Sequence, residues 1–508
     1  MTSIELAGAF RRLARGWDMT ATAATNIDKA PIALQSLRPA QLRWSRRIAA
    51  DLVSAAETLT ILAGGFLPAA IYATSGGVEM NWALITQSSL VAAFIVQVCM
   101  RAWGMYDTRR MHDFPLDPAA MFWALVIGII GVIGLTLPQA LGSIHMWVWY
   151  AAWLSASYTF ILLVRLTARH ILSRLAADGR FEQTVAVFGA GPVARRVKDH
   201  LCDKSLGVHF AGVFDDRSGE DRLDTCGLTV SGRLDDLIRA ARDGHIDRIV
   251  IALPQAADRR MSDVARKLEQ LPTSLHYVTH LASDFVSTPA AHKVSSLGPV
   301  GLLDVKAKPF SDWGPIIKSV EDYVLGAALL ILALPLLPLI ALAIRLDSDG
   351  PVLFRQRRRG LNQRIIEVLK FRTMTVMEDG DDVRQVAARD PRVTRVGAFL
   401  RRTSLDELPQ LWNVLCGEMS LVGPRPHALA HDDEYSRKLE EYAARHQVKP
   451  GITGLAQIKG WRGETPTTDS MKARVDLDIA YIKSWSLWLD LKILAQTFGA
   501  VIKGKNAV

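Results

Sequence analysis

Apolar residues gather first into four long runs, about Leu52 to Tyr72, Trp82 to Trp103, Pro118 to Leu137 and Ile144 to Val164, with few charges inside them. Each is near the ~20 residues that a helix needs to cross a hydrocarbon core, so the pattern predicts four transmembrane helices. Their flanks orient them. Arg43, Arg46 and Arg47, then Arg101, Arg109 and Arg110, then Arg165, Arg169 and Arg174 alternate with the loops TSGGVEM and PQALGS, which hold no Lys or Arg. By the positive-inside rule both ends of this bundle face the cytoplasm. Glu57 lies within the first run. An acid there is either a functional intramembrane group or one turned toward neighbouring helices, and the sequence assigns it no role.

Beyond the bundle the period changes. TVAVFGAGPVARRVKDHL (Thr184 to Leu201) reads strand, glycine turn, helix; FAGVFDD (Phe210 to Asp216) reads as a strand ending in acids, and IDRIVIALP (Ile246 to Pro254) as a later buried strand. This is the order of a doubly wound, Rossmann-like α/β domain. Gly189, Gly191 and Ala194 form G-x-G-x-x-A, a turn able to set helix N-terminal amides against a pyrophosphate, and Asp215 stands near the expected ribose-binding acid. A tight packing turn would use the same glycines.

A further charge-free apolar stretch, Val324 to Ile344, has the length of a fifth span. Crossing there would carry Arg345 and the arginines after it to the wrong side, and Pro335 and Pro338 interrupt the helix that crossing requires. These features weigh against a straight fifth span. Ahead of the bundle, Ile4 to Trp17 alternates apolar residues with Arg11, Arg12 and Arg15, as in an interfacial amphipathic helix or a frayed tail, and Met19 to Pro39 reads as linker. It lacks the continuous apolar region and cleavage site of a signal peptide.

Composition narrows the partners. A chain of 508 residues exceeds one ordinary core, and its formal charge of +9 favours anionic partners such as membrane lipid and phosphorylated substrates. No zinc-ligand spacing or RNA-binding aromatic signature accompanies that charge, so nucleic acid is not an expected partner. Cys99, Cys202, Cys226 and Cys416 are scattered without a C-x-x-C pair, which fits a reducing compartment.

The segment RRTSLDELPQLWNVLCGEMSLVGPRP (Arg401 to Pro426) carries the chemistry. It sets adjacent Asp406 and Glu407 among Arg401, Arg402 and Arg425. Adjacent acids supply a carboxylate nucleophile or metal ligand, and guanidiniums clamp anionic substrates. The blander alternative is S-x-x-E, the capping box at a helix start, spelled here by Ser404 and Glu407. Upstream, Arg355, Arg357, Arg358, Arg359, Arg364, Lys370 and Arg372 crowd a stretch whose one acid is Glu367. Lys370 and Arg372 are the secondary phosphate-binding candidates, against a solvated basic loop or a lipid contact for the rest. Gly451 and Gly454 read as turn positions that permit positive φ and close approach.

These motifs, with GPVLFRQRRRG (Gly350 to Gly360), VLKFRTM (Val368 to Met374), DPRVTRVGAFLRRTS (Asp390 to Ser404), KPGITGLAQIKGWRGET (Lys449 to Thr465) and WSLWLDLKIL (Trp485 to Leu494), resemble the bacterial sugar transferase family, the polyprenyl-phosphate hexose-1-phosphate transferases. The resemblance runs from about Trp313 to Lys503. It implies transfer of a sugar 1-phosphate from a UDP-sugar to undecaprenyl phosphate, with release of UMP, at the start of exopolysaccharide or O-antigen synthesis. It also implies that Asp406 is the nucleophile of a phospho-aspartyl intermediate, that Glu407 supports it, that both meet Mg²⁺, and that Arg425 clamps phosphate. GWRGET and the following helix look like the glucose-transferring branch, with UDP-galactose as the alternative donor. In this family a proline at the position of Pro335 breaks a re-entrant helix, though Leu334 replaces the usual serine before it. Nucleotide sugars are cytoplasmic, which again opposes a fifth crossing.

The expected architecture is an N-terminal cytoplasmic segment (1–45), a membrane α-helical bundle of four spans (46–175), a cytoplasmic Rossmann-like (CoA-binding-like) α/β domain (180–305) and a small α/β catalytic domain (313–508) with a re-entrant helix at 324–344. The resemblance places it in the bacterial inner membrane as a homodimer. Two other classes remain. A membrane-tethered nucleotide-sugar dehydratase or epimerase needs a Y-x-x-x-K pair after the glycine turn, and no tyrosine in the chain has lysine at that spacing. A nucleotide-sensing scaffold would keep its function without Asp406.

Overall fold

The computed structural model describes residues 45–76, 81–107, 114–141, 144–201, 208–217, 228–253, 258–278, 294–297, 300–306, 308–375, 390–461, 463 and 467–502. The amphipathic stretch at Ile4 to Trp17, the linker after it, Arg43, Arg109 and Arg110 lie outside these. The chain divides into two compact units, one holding the helix bundle and the other the α/β and C-terminal domains.

In the bundle, α1 is Arg46–Gly76, α2 Trp82–Ala102, α3 Pro118–Leu141 and α4 Ile144–Ala177. These four are long and apolar enough to cross a membrane. The fourth outlasts its apolar run, because arginine sustains a helix as well as leucine does and nothing stops the backbone before Gly179, which takes the left-handed conformation at φ 71°. Small residues let the helices close up. A Cβ on Gly64 would fall 2.2 Å from Ser157 Oγ, and one on Gly65 2.3 Å from Ser89 Oγ. The Trp149 and Trp153 indoles then donate across to the Gly65 and Ile61 carbonyls at 2.8 and 2.9 Å.

Glu57 faces its neighbours. Arg165 Nε lies 2.6 Å from Glu57 Oε1, the Tyr106 hydroxyl donates to Oε2, and Arg165 Nη1 donates to Pro115 O at 2.7 Å. Both charges are buried, so removing one strands the other. Glu57→Ala is therefore expected to destabilise the bundle by about 3 kcal/mol, read as a lowered Tm in detergent. An unchanged Tm would show that the pair contributes nothing.

The α/β domain begins with β1 (Gln183–Phe188), α5 (Pro192–Leu201), β2 (Val208–Phe214), β3 (Val230–Gly232) and α6 (Leu234–Arg242). It continues with β4 (Arg248–Ile251), α7 (Asp258–Glu269), β5 (Ser274–Val278), β6 (Val294–Leu297) and β7 (Val300–Lys306). The sheet order is β3-β2-β1-β4-β5-β7-β6. The first five strands run parallel and β7 and β6 antiparallel, giving the expected doubly wound core with an added hairpin. Val185, Ala186, Val187 and Phe188 are wholly buried, as a strand covered on both faces must be.

In the C-terminal domain, α8 (Gly314–Ala333) and α9 (Leu336–Asp347) meet at a 57° bend. Pro335 stands in the break, where it cannot donate a helix hydrogen bond. Leu332, Leu339, Leu342 and Leu346 of this pair are exposed. Next come the antiparallel hairpin of β8 (Leu353–Arg359) and β9 (Ile365–Phe371), then α10 (Arg395–Thr403), a 3₁₀ turn at Leu405–Glu407 and α11 (Gln410–Leu415). The strands β10 (Ser420–Val422) and β11 (Gly451–Thr453) pair in parallel, with α12 (Leu429–Lys438) and a 3₁₀ segment, Tyr442–Gln447, between them. The helices α13 (Leu455–Ile458), α14 (Thr468–Ser484) and α15 (Leu487–Ile502) finish the described fold. Trp488 and Phe498 of α15 are also exposed.

Candidate active site

Three elements converge on the acid pair. Asn413 on α11 donates to Glu367 O at 2.7 Å and accepts from Leu369 N at 3.0 Å, which fixes β9 beside the 3₁₀ turn and brings Lys370 to Glu407. Backbone contact fixes the third element, the GPRP loop. A Cβ on Gly451 would lie 2.1 Å from Gly423 N, and one on Gly454 2.3 Å from Gly423 O. Neither Gly451 nor Gly454 has a positive φ, so close approach rather than a turn is what requires glycine there.

The two acids are treated differently. Glu407 is clamped: Lys370 Nζ lies 3.1 Å from Oε1, and Arg425 reaches Oε1 at 2.5 Å and Oε2 at 3.3 Å. Asp406 is buried, yet among the described residues its carboxylate accepts no hydrogen bond and has no cation within ion-pair distance. Burial first, and the neighbouring Glu407 charge second, push its pKa above the usual carboxylate range, with Lys370, Arg425 and Arg401 opposing. Burial likewise lowers the Lys370 pKa, against the pull of Glu407. The capping-box alternative does not hold. Ser404 is left-handed at φ 60° and its side chain caps nothing, while the Glu407 carboxylate is turned to Lys370 and Arg425.

The remaining sequence candidates lie elsewhere. Arg402 is exposed at the end of α10 with its guanidinium 5.9 Å from the Phe399 ring, and it is Arg401 whose charge reaches Asp406. Arg372 is buried at the C-terminus of α9, donating to Ser348 O at 2.6 Å and to Asp349 O. In the α/β domain Gly189 is at φ 105°, Ala194 is wholly buried and a Cβ on Gly191 would meet open space. Asp215 closes the turn, accepting from Ala190 N at 2.7 Å and pairing with Arg217 at 2.7 Å. Its oxygens are thus engaged by protein groups.

Sequence reasoning missed a second group behind Arg425. Arg445 donates to Arg425 O at 2.7 Å and to Asp478 at 2.8 Å, Arg474 approaches His427 Nε2 at 3.2 Å, and Arg358 donates to Pro426 O. His427 is held neutral, its pKa well below the ordinary value because it is buried among Arg445, Arg474, Arg358 and Arg425. These contacts join segments far apart in the chain, and no local pattern signals them.

Among the described residues no group of three or more His, Cys, Asp or Glu side chains forms a metal cage. Mg²⁺ does not require one, since it commonly uses one or two carboxylates together with substrate phosphates. Asp406, with hard oxygens engaged by no protein cation, and Glu407 beside it have the right donor chemistry for such a site.

The site gathers two carboxylates and several cations, and comparison with known proteins gives the chain's family. The bacterial sugar transferase profile matches residues 313–504, and a CoA-binding domain profile matches residues 101–278. The UDP-glucose:undecaprenyl-phosphate glucose-1-phosphate transferase of Escherichia coli K12 is 39% identical over 357 residues, 70% of this chain and 75% of that protein. The undecaprenyl-phosphate glucose phosphotransferase of Komagataeibacter xylinus is 40% identical over 361 residues, 70% of this chain and 66% of that protein. In Caulobacter vibrioides a UDP-glucose:undecaprenyl-phosphate glucose-1-phosphate transferase is 57% identical over 190 residues, 37% of this chain and 71% of its own. The matched stretch spans about two thirds of the length of such curated relatives. The chain belongs to the bacterial sugar transferase family.

Proposed function

We propose that this protein transfers glucose 1-phosphate from UDP-glucose to undecaprenyl phosphate. The observation that carries the reading is the asymmetry of the acid pair: a buried carboxylate without a partner, Asp406, beside one held by two cations, Glu407. A nucleophile must be unencumbered, and two anions approach to bonding distance only where cations offset their charge. In the first step an Asp406 oxygen bonds to the phosphorus bearing the sugar, and the bridging P–O bond breaks with its electron pair leaving on UMP. In the second, an oxygen of the lipid phosphate attacks the phospho-aspartyl phosphorus and expels Asp406, giving the lipid-linked diphosphate sugar. Arg425 and Lys370 hold Glu407 in place and offset the phosphate charge. Asp406 and Glu407 would hold Mg²⁺, which would supply further charge neutralisation at the site. Glucose as the sugar is supported by the names of the relatives. Purified protein given undecaprenyl phosphate and a panel of UDP-sugars is expected to release UMP fastest with UDP-glucose. No release with any member would refute the activity, and faster release with UDP-galactose would change the donor.

The same reading makes α8 and α9 a re-entrant helix in the inner membrane and puts the active site on the cytoplasmic face, where a soluble donor meets a lipid phosphate. The 57° bend at Pro335 and the exposed leucines on both arms support it. Cysteines placed singly at Ser311 and Ser436 in a cysteine-free background should both resist an impermeant thiol reagent from the periplasm and react after permeabilisation. Labelling of the Ser436 variant alone from outside would mean a fifth crossing. The reading further includes a homodimer, initiation of exopolysaccharide or O-antigen assembly, and an accessory role for the glycine turn.

A further inference from the structure

Among the described residues Arg474 is a buried guanidinium with no ion pair, its nearest acid, Asp478, being bound by Arg445. Its residue is 5% exposed, its guanidinium donates to Gly463 O at 2.6 Å and lies 3.2 Å from neutral His427 Nε2, and its Nε has no partner. No carboxylate lies within ion-pair distance of it among the described residues. The acids nearby are committed elsewhere. Asp478, one helical turn along α14, is bound by Arg445 at 2.8 Å; Asp432 accepts from Tyr442 at 2.5 Å; Glu407 holds Arg425 and Lys370. Arg445 and Arg425 repel Arg474, and with burial as the larger cause its pKa is pushed down to about 10. An arginine buried without an anion is costly, and a fold retains one most readily where an anion arrives with a ligand.

Its position says which anion. Arg425 lies between the two groups: its guanidinium grips Glu407 and its carbonyl accepts from Arg445, which shares Asp478's surroundings with Arg474. We propose that Arg474 is a phosphate-binding residue, taking a phosphoryl oxygen of a substrate beside the Asp406 and Glu407 pair, with His427 and Arg445 positioning it. The inference rests on the transferase reading and deepens it, since both substrates carry phosphate: the donor, whose departing phosphate leaves as UMP, and the lipid carrier.

The test uses the full chain in nanodiscs, with Arg474→Met and Arg474→Lys. UMP binding by calorimetry and the KM for each substrate are measured separately, so binding is read even if turnover with UDP-glucose is absent. If the donor phosphate is the occupant, Arg474→Met weakens UMP and raises the UDP-glucose KM by about tenfold or more, leaving the KM for undecaprenyl phosphate unchanged. If the lipid phosphate is, only the latter rises, by a similar factor. Arg474→Lys, which keeps the charge and loses the fork, should fall between Met and wild type, and it carries the test alone should the Met variant fail to fold. A folded Lys variant equal to wild type in all three values, or a folded Met variant within about twofold of wild type, against the tenfold expected, overturns the proposal and leaves Arg474 a structural tie to Gly463.

Discussion

Asp406→Asn is expected to lower turnover by roughly 10³-fold or more, because an amide in the same place cannot form the acyl phosphate that the first step requires. The loss should not come from unfolding. The Asp406 pKa is raised in the folded protein, so the stability this carboxyl contributes is full below the ordinary carboxylate pKa and is lost as pH rises through the raised value. At neutral pH the ionised group is a burden that asparagine removes. The variant should therefore melt no lower than wild type while releasing almost no UMP. Near wild-type UMP release would refute the nucleophile assignment, and a lowered Tm would point to an unrecognised partner for Asp406.

Glu407→Gln acts through a different cause. Its carboxylate is shared by Lys370 and Arg425, so neutralising it leaves two cations facing each other beside Asp406. Removing one partner of such a buried set costs about 3 kcal/mol, toward the low end because Arg425 keeps 21% of its side chain exposed. Turnover should fall severely as well, since the Arg425 fork loses its anchor. The check is Tm alongside UMP release: a variant with wild-type stability and an equally severe rate loss would make Glu407 a chemical participant alone, and one with unchanged rate would remove it from the site.

What the sequence could reveal followed the range of the interaction. The four apolar runs were legible because each is local, and so were β1 and β4, most of whose residues are buried, and β2, whose C-terminal half is buried. The continuation of α4 to Ala177 was not, because hydropathy reports on the membrane and not on where a helix stops. Nor was the antiparallel addition of β6 and β7, whose partner β5 is chosen by the assembled sheet. In the site, Asp406, Glu407, Lys370 and Arg425 stand in dense motifs, and the fold brings them together. Arg372 stands two residues from Lys370 in the same basic motif, but β9 ends at Phe371, and the side chain one step beyond it caps α9 instead. Arg402 and Arg401 differ by the ~100° that separates neighbours on a helix, and only the structure says which one faces the acids. Arg445 and Arg474 gave no signal, because each owes its meaning to partners supplied by other segments.

The central claim is a covalent bond between Asp406 and a sugar phosphate, and trapping it is the direct test. Wild-type protein incubated with UDP-glucose in the absence of undecaprenyl phosphate, quenched and digested, should yield the peptide containing Asp406 with the added mass of a hexose phosphate, discharged when the lipid phosphate is supplied. The account predicts that adduct on Asp406 and none in Asp406→Asn. Turnover to lipid-linked product with no adduct at any quench time, or an adduct on another residue, would contradict it.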